Sequence, residues 1–145
     1  FLPLNIDSEN IILNSLKFLM ENLGIYLKDF EVKNHPVAKN SKKNILMIKK
    51  INYLIKNQRF IKNSNYKNVA VFIGASGGII EALERGYKVI QICEIPIFHA
   101  YSNKIWTSIK SKQLTNNIFT YSLVKKGSLI KLGNQPKNLN KFFIN

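Results

Sequence analysis

The sequence predicts an α/β protein: one domain over residues 1–145, built on an open parallel sheet with helices on both faces. Three observations predict it. The run Val69-Ala70-Val71-Phe72-Ile73 is followed by the small-residue turn Gly74-Ala75-Ser76-Gly77-Gly78, a helical stretch to Gly86 and a second apolar run ending at Ile92-Cys93, which makes one parallel strand–helix–strand crossover. Two stretches upstream carry apolar residues at helical spacing. Between them lies a short alternating segment that ends at a His-Pro pair.

In chain order, residues 1–4 read as an entering strand rather than a signal peptide, since no positively charged stretch precedes their apolar residues. Asp7 or Ser8 can cap the helix that follows. Its residues Ile12, Leu16, Leu19 and Leu23 form one apolar stripe, and Gly24 ends it. Residues 30–34 alternate apolar and polar side chains, as does a strand with one buried face or a strand near the sheet edge. Pro36 blocks its continuation and holds His35 extended at the strand's C-terminal end. Residues 41–57 predict an amphipathic crossover helix with Ile45, Ile48, Ile51, Asn52 and Ile55 on one face and lysines opposite.

Residues 58–68 are polar, with a very short strand at Phe60-Ile61 and no second helix. Within the crossover, Ile79, Ala82 and Leu83 share the face that packs on the sheet, and Gly86 supplies a left-handed C-cap. Residues 94–101 read as an irregular loop carrying Phe98, His99 and Tyr101. Ser102 then caps a helix holding Ile105, Trp106 and Ile109. Residues 118–123 predict another strand and 129–132 a last one, before a polar tail whose Phe142-Phe143-Ile144 should dock on something.

Composition narrows the function. The 22 Lys and Arg against 8 Asp and Glu leave a formal charge of +14, which invites a nucleic-acid or acidic-membrane partner. The lysines are spread from Lys17 to Lys141, however, and only Arg59 and Arg85 supply guanidinium groups. Much of this charge therefore reads as a solvated face, with weak attraction to an anionic membrane as its functional consequence. No window of about 18 uninterrupted apolar residues exists. Cys93 is the lone cysteine, which leaves no intrachain disulfide or cysteine-based metal cluster and fits a reducing cytoplasm. His35 and His99 lack metal-ligand spacing.

The residues that carry chemistry are those at the two turns. Ser76 is placed to cap the crossover helix, while Gly77 and Gly78 keep its first amides bare of side chains, as a phosphate seat requires. The helix dipole adds about 0.3–1 kcal/mol of attraction for negative charge. Glu81, one turn further on, suits ribose hydroxyls. In open α/β sheets ligands bind beyond the strand C-termini, so His35 and the Ser76 turn open onto one edge if both strands are parallel members of one sheet. His35 would donate a hydrogen bond to a phosphate or diphosphate oxygen, with Lys33 or Lys39 adding charge and Phe98 or Tyr101 offering a stacking face. Tight turns and helix caps favour the same small residues without any ligand. The stretch is neither a GxGxxG fingerprint nor a P-loop.

Lys33-Asn34-His35-Pro36 resembles the "K-x-H-P" turn of bacterial sialyltransferases and related surface-polysaccharide transferases. The run from Gly74-Ala75-Ser76-Gly77-Gly78 through Glu81-Ala82 and Gly86 to Val89-Ile90 resembles their small-residue turn followed by "E-A-x-x-x-G-x-x-V-I". The resemblance is thus to the C-terminal, donor-binding half of GT-B glycosyltransferases, with a Rossmann-like fold. It implies a nucleotide sugar held by its phosphates at His35 and at the Ser76, Gly77 and Gly78 turn, with Glu81 on the ribose. No metal or other cofactor is implied, and no catalytic residue: the general base would belong to an N-terminal half. The chain then reads as a fragment of a two-domain enzyme of surface polysaccharide or lipooligosaccharide synthesis, binding without turnover when alone. It would be cytoplasmic, or peripheral to the inner membrane.

Ala75 stands where the sialyltransferase-type turn commonly has a hydroxyl residue. The C-terminal half of non-hydrolysing UDP-N-acetylglucosamine 2-epimerases is similar in its Ser-Gly-Gly and His-Pro elements, but Ala75 and Ala82 replace its acidic positions. Outside sugar-nucleotide chemistry, the competing expectations are a basic nucleic-acid-binding module and a protein-interaction domain.

Overall fold

A computed structural model describes residues 2, 8–38, 40–59, 66, 68–96 and 108–125. Its centre is a four-stranded sheet in the order β1-β2-β4-β3, formed by β1 (Val69–Ile73), β2 (Lys88–Ile92), β3 (Ile109–Thr115) and β4 (Ile118–Leu123). Among the described residues three α-helices flank it: α1 (Glu9–Asn22), α2 (Lys42–Lys56) and α3 (Gly78–Glu84). β1 and β2 pair in parallel from Val69 opposite Lys88 to Ile73 opposite Ile92, with α3 as the crossover. The α/β class therefore holds.

The sheet is mixed, not wholly parallel. β4 runs antiparallel to β2, and β3 antiparallel to β4, with a bulge between Gln113 and Thr115. The cause is local: Asn116 and Asn117 turn the chain directly from β3 into β4, and so short a link permits only antiparallel strands.

Strand alternation divides the apolar residues into two cores. Ile73, Ile90, Ile92 and Ile118 point to one face, where they meet Ile12, Leu16 and Leu19 of α1 and Met47 and Ile51 of α2. Phe72, Val89, Phe119 and Tyr121 point to the other, against Ile79, Ala82 and Leu83 of α3. Helices thus cover both faces. The predicted stripes of α1 and α3 are the ones buried, except that Leu23, the C-cap of α1, is only partly so, and Ser8 is the N-cap of α1. Gly24 and Gly86 follow α1 and α3 with φ of 61° and 85°, and Tyr87 N–H donates to Ala82 O and Gly86 N–H to Leu83 O in a Schellman closure.

Four expectations change. Residues 30–34 are not a strand of the described sheet: Phe30 is extended, Phe30 and Val32 pack on the α1/α2 core, and Lys33 O accepts from Leu2 N–H. α2 spans the predicted stretch, capped by Ser41 through its Oγ; the predicted Ile51 is buried and Ile48 and Ile55 are partly buried on the same core, but Asn44 and Met47 complete the buried face in place of Ile45 and Asn52. Ile45 and Asn52 face outward. Ile109 opens β3 instead of closing a helix. The seven-residue β3 was missed because Lys110, Ser111, Lys112 and Gln113 give it no apolar alternation. The readings for residues 3–7, Lys39, Phe60-Ile61, residues 97–107, 129–132 and the C-terminal tail lie outside the described residues.

Candidate functional site at the strand ends

The turn after β1 begins at Gly74, whose φ of 72° needs a glycine and whose N–H donates to Ile92 O at 2.7 Å. Its carbonyl is held from below. Gln91, fully buried in β2, donates from Nε2 to Gly74 O at 3.0 Å and accepts from the Tyr121 hydroxyl at 3.0 Å. This chain of bonds ties β4, β2 and the turn into one unit. A polar residue inside the otherwise apolar Val89-Ile90-Gln91-Ile92 was the sequence signal for it.

Ser76 lies one residue before the α3 N-cap, which is Gly77 in a helical conformation. Its Oγ accepts from Gly78 N–H at 3.2 Å, while its carbonyl accepts from Ile79 N–H and that of Gly77 from Ile80 N–H. The first amides of α3 are therefore engaged within the turn, which narrows the predicted phosphate seat. Among the described residues the Gly77 N–H meets no acceptor, and the Ser76 hydroxyl keeps a proton to donate outward.

The two glycines differ. A Cβ at Gly78 would lie 3.2 Å from Phe72 Cε1 and 3.4 Å from Ser76 Oγ, so packing alone accounts for that glycine. A Cβ at Gly77 would meet nothing within 4 Å. Nothing in the fold requires Gly77 to be small.

Glu81 is exposed one turn along α3 and pairs with Arg85 Nη2 at 2.6 Å. Lys33 pairs at 3.2 Å with Glu31, both half-exposed or more. Lys33, Ser76, Gly78 and Glu81 line one groove of about 790 Å³ beside β1; His35 and Gly77 are not among its lining residues. Lys33 and Ser76 thus line one groove, although residues 30–34 lie outside the sheet.

The His35 turn is anchored separately. Asn34 Nδ2 donates to Ala38 O, and Asn34 Oδ1 accepts from both His35 N–H and Asn44 Nδ2, at 2.7 Å from the latter. Val37 N–H donates to His35 Nδ1 at 3.3 Å, which leaves Nε2 as the protonated ring nitrogen. Asn34 is an anchor that periodicity does not mark; its place beside the His-Pro pair is its signal in the sequence.

Cys93, just beyond β2, is buried, and burial pushes its thiol up to about 12. Among the described residues no group of His, Cys, Asp or Glu could hold a metal ion, and no helix is long and apolar enough to cross a membrane. No family model matches this chain, and neither a curated protein nor a solved structure matches it.

Proposed function

We propose that this chain is the donor-binding half of a GT-B-type glycosyltransferase of surface-carbohydrate synthesis, holding a nucleotide sugar by its phosphates. The observation that carries the reading is Gly77. It stands exposed at the turn between a parallel strand and its crossover helix, with open space where a side chain would fit and an amide among the described residues that meets no acceptor. A phosphate oxygen there would accept from Gly77 N–H and the Ser76 hydroxyl.

Lys33 lines the groove that Ser76 also lines and adds positive charge; His35 lies outside that groove, and its Nε2–H is a donor in the tautomer its own turn selects. In such a site, donors fixed before the reaction stabilise charge that develops on the departing nucleotide phosphate. Glu81 would reach the ribose once it leaves Arg85, an exposed pair that opposes this by under about 1 kcal/mol. The general base and the sugar acceptor belong to a second half.

The test is a thermal-shift and calorimetric screen of UMP, UDP, CMP, GDP and ADP at two salt concentrations. One base is expected to bind, adding about 2.7 kcal/mol of stability at a hundred times its dissociation constant. Gly77→Ala should leave the unliganded midpoint nearly unchanged and weaken that ligand at least about tenfold, as should Ser76→Ala. Binding of no nucleotide, or equal binding of all that fades with salt, would overturn the proposal.

A further inference from the structure

α2 presents two faces, and the sheet core uses only one. Asn44, Met47 and Ile51 turn inward. The opposite face carries Lys42, Ile45, Leu46, Lys49, Asn52, Tyr53 and Lys56, spaced at three or four residues so that apolar and cationic groups interleave. Leu46 is 52% and Tyr53 73% exposed, and Ile45 41%. α2 has five lysines and no acidic residue; Lys50 alone among them turns aside to pair with Glu9. Next to this face, Lys17 and Leu13 of α1 join Lys49, Tyr53 and Leu54 around a shallow groove of about 510 Å³.

We infer that the outward face of α2 docks on an anionic lipid surface, its helix axis lying in the plane of the headgroups. Three large apolar side chains on a solvated helix face gain nothing from a phosphodiester backbone, which argues against nucleic acid. Contact with another protein would bury lysines, which interface cores avoid. A bilayer with anionic headgroups satisfies both sets at once: Leu46, Ile45 and the Tyr53 ring enter the acyl boundary while the lysine stems snorkel and their ammonium groups stay among phosphates. At fifteen residues the helix offers a contact about 22 Å long. The face lies on the side of the sheet opposite α3, so this docking does not cover α3. The inference does not rest on the nucleotide reading.

Flotation of the whole chain with vesicles of phosphatidylcholine, with or without about one third phosphatidylglycerol, tests it. Binding is expected only with the anionic lipid. Lys42→Gln with Lys49→Gln should weaken it about 30-fold, about fivefold for each lysine near the surface. Lys110→Gln with Lys112→Gln, an equal loss of charge on the edge strand β3, should weaken it less than about threefold, since those lysines are not part of the α2 face. Leu46→Gln with Tyr53→Gln keeps the charge and should still weaken binding at least about tenfold; circular dichroism and the unfolding midpoint establish that each variant is folded. Equal loss from the β3 pair, no effect of the Leu46/Tyr53 pair, binding to neutral vesicles as strong as to anionic ones, or binding confined to RNA would each overturn the inference.

Discussion

At Cys93 a single side chain sets a pH limit on the fold. Burial keeps the thiol neutral by raising its pKa from 9.0 to about 12. The folded state therefore holds its proton where the unfolded chain releases it, and stability falls as pH rises from about 9 towards 12, by up to about 1.4 kcal/mol per pH unit. Cys93→Ala removes this dependence, so urea titrations at pH 8 and 10.5 should show a smaller loss of stability in the variant than in the wild type. Equal losses would mean that the thiol is solvated. The same burial makes the thiolate scarce at pH 8, where alkylation of the native protein should lag far behind that of the unfolded chain.

Among the elements, the turn after β1 depends on a partner the eye passes over. Gln91, itself fully buried, links the buried Tyr121 on β4 to the half-buried Gly74 at the head of the turn. Gln91→Leu keeps the volume but removes the acceptor of one buried group and the donor of another, so we expect it to lower the unfolding free energy by about 2–3 kcal/mol. Tyr121→Phe should cost about 1 kcal/mol, and the two changes should be far from additive because they break one chain of bonds. A Gln91→Leu midpoint in urea within about 0.5 kcal/mol of wild type would show the link dispensable.

This element also marks where the sequence was legible. The β1–α3–β2 crossover, its small-residue turn and its Gly86 closure could be read because periodicity, β-branching and glycine each leave a local trace. β3 left none, since its pairing is decided by β4 and not by its own Lys110, Ser111, Lys112 and Gln113. The facing of α2 also depended on tertiary contacts: Asn34 draws the polar Asn44 inward, and Ile45 is turned out. In the candidate site, the glycine positions were visible, but that Gly78 serves packing and Gly77 does not could only be seen with Phe72 in place.

At the scale of the whole molecule the charge is compensated, among the described residues, by exposed pairs. Against a formal charge of +14, the ion pairs seen among the described residues, Lys33 with Glu31, Lys50 with Glu9 and Arg85 with Glu81, all involve side chains at least 39% exposed. Pairs of that kind contribute at most about 1 kcal/mol each, and salt weakens them. Salt also weakens the mutual repulsion of the remaining cations, which opposes the compact state and acts over about 10 Å at 0.1 M ionic strength but about 30 Å at 0.01 M. The two effects have opposite signs, so their balance is measurable. Because lysines far outnumber available carboxylates, repulsion should dominate, and raising sodium chloride from about 0.01 to 0.1 M should raise the unfolding midpoint by a few degrees, a gain of about 1 kcal/mol. A midpoint that falls with salt would place the weight on the three ion pairs. In that case Glu81 could not leave Arg85 cheaply, and its assignment to a ribose would fail with it.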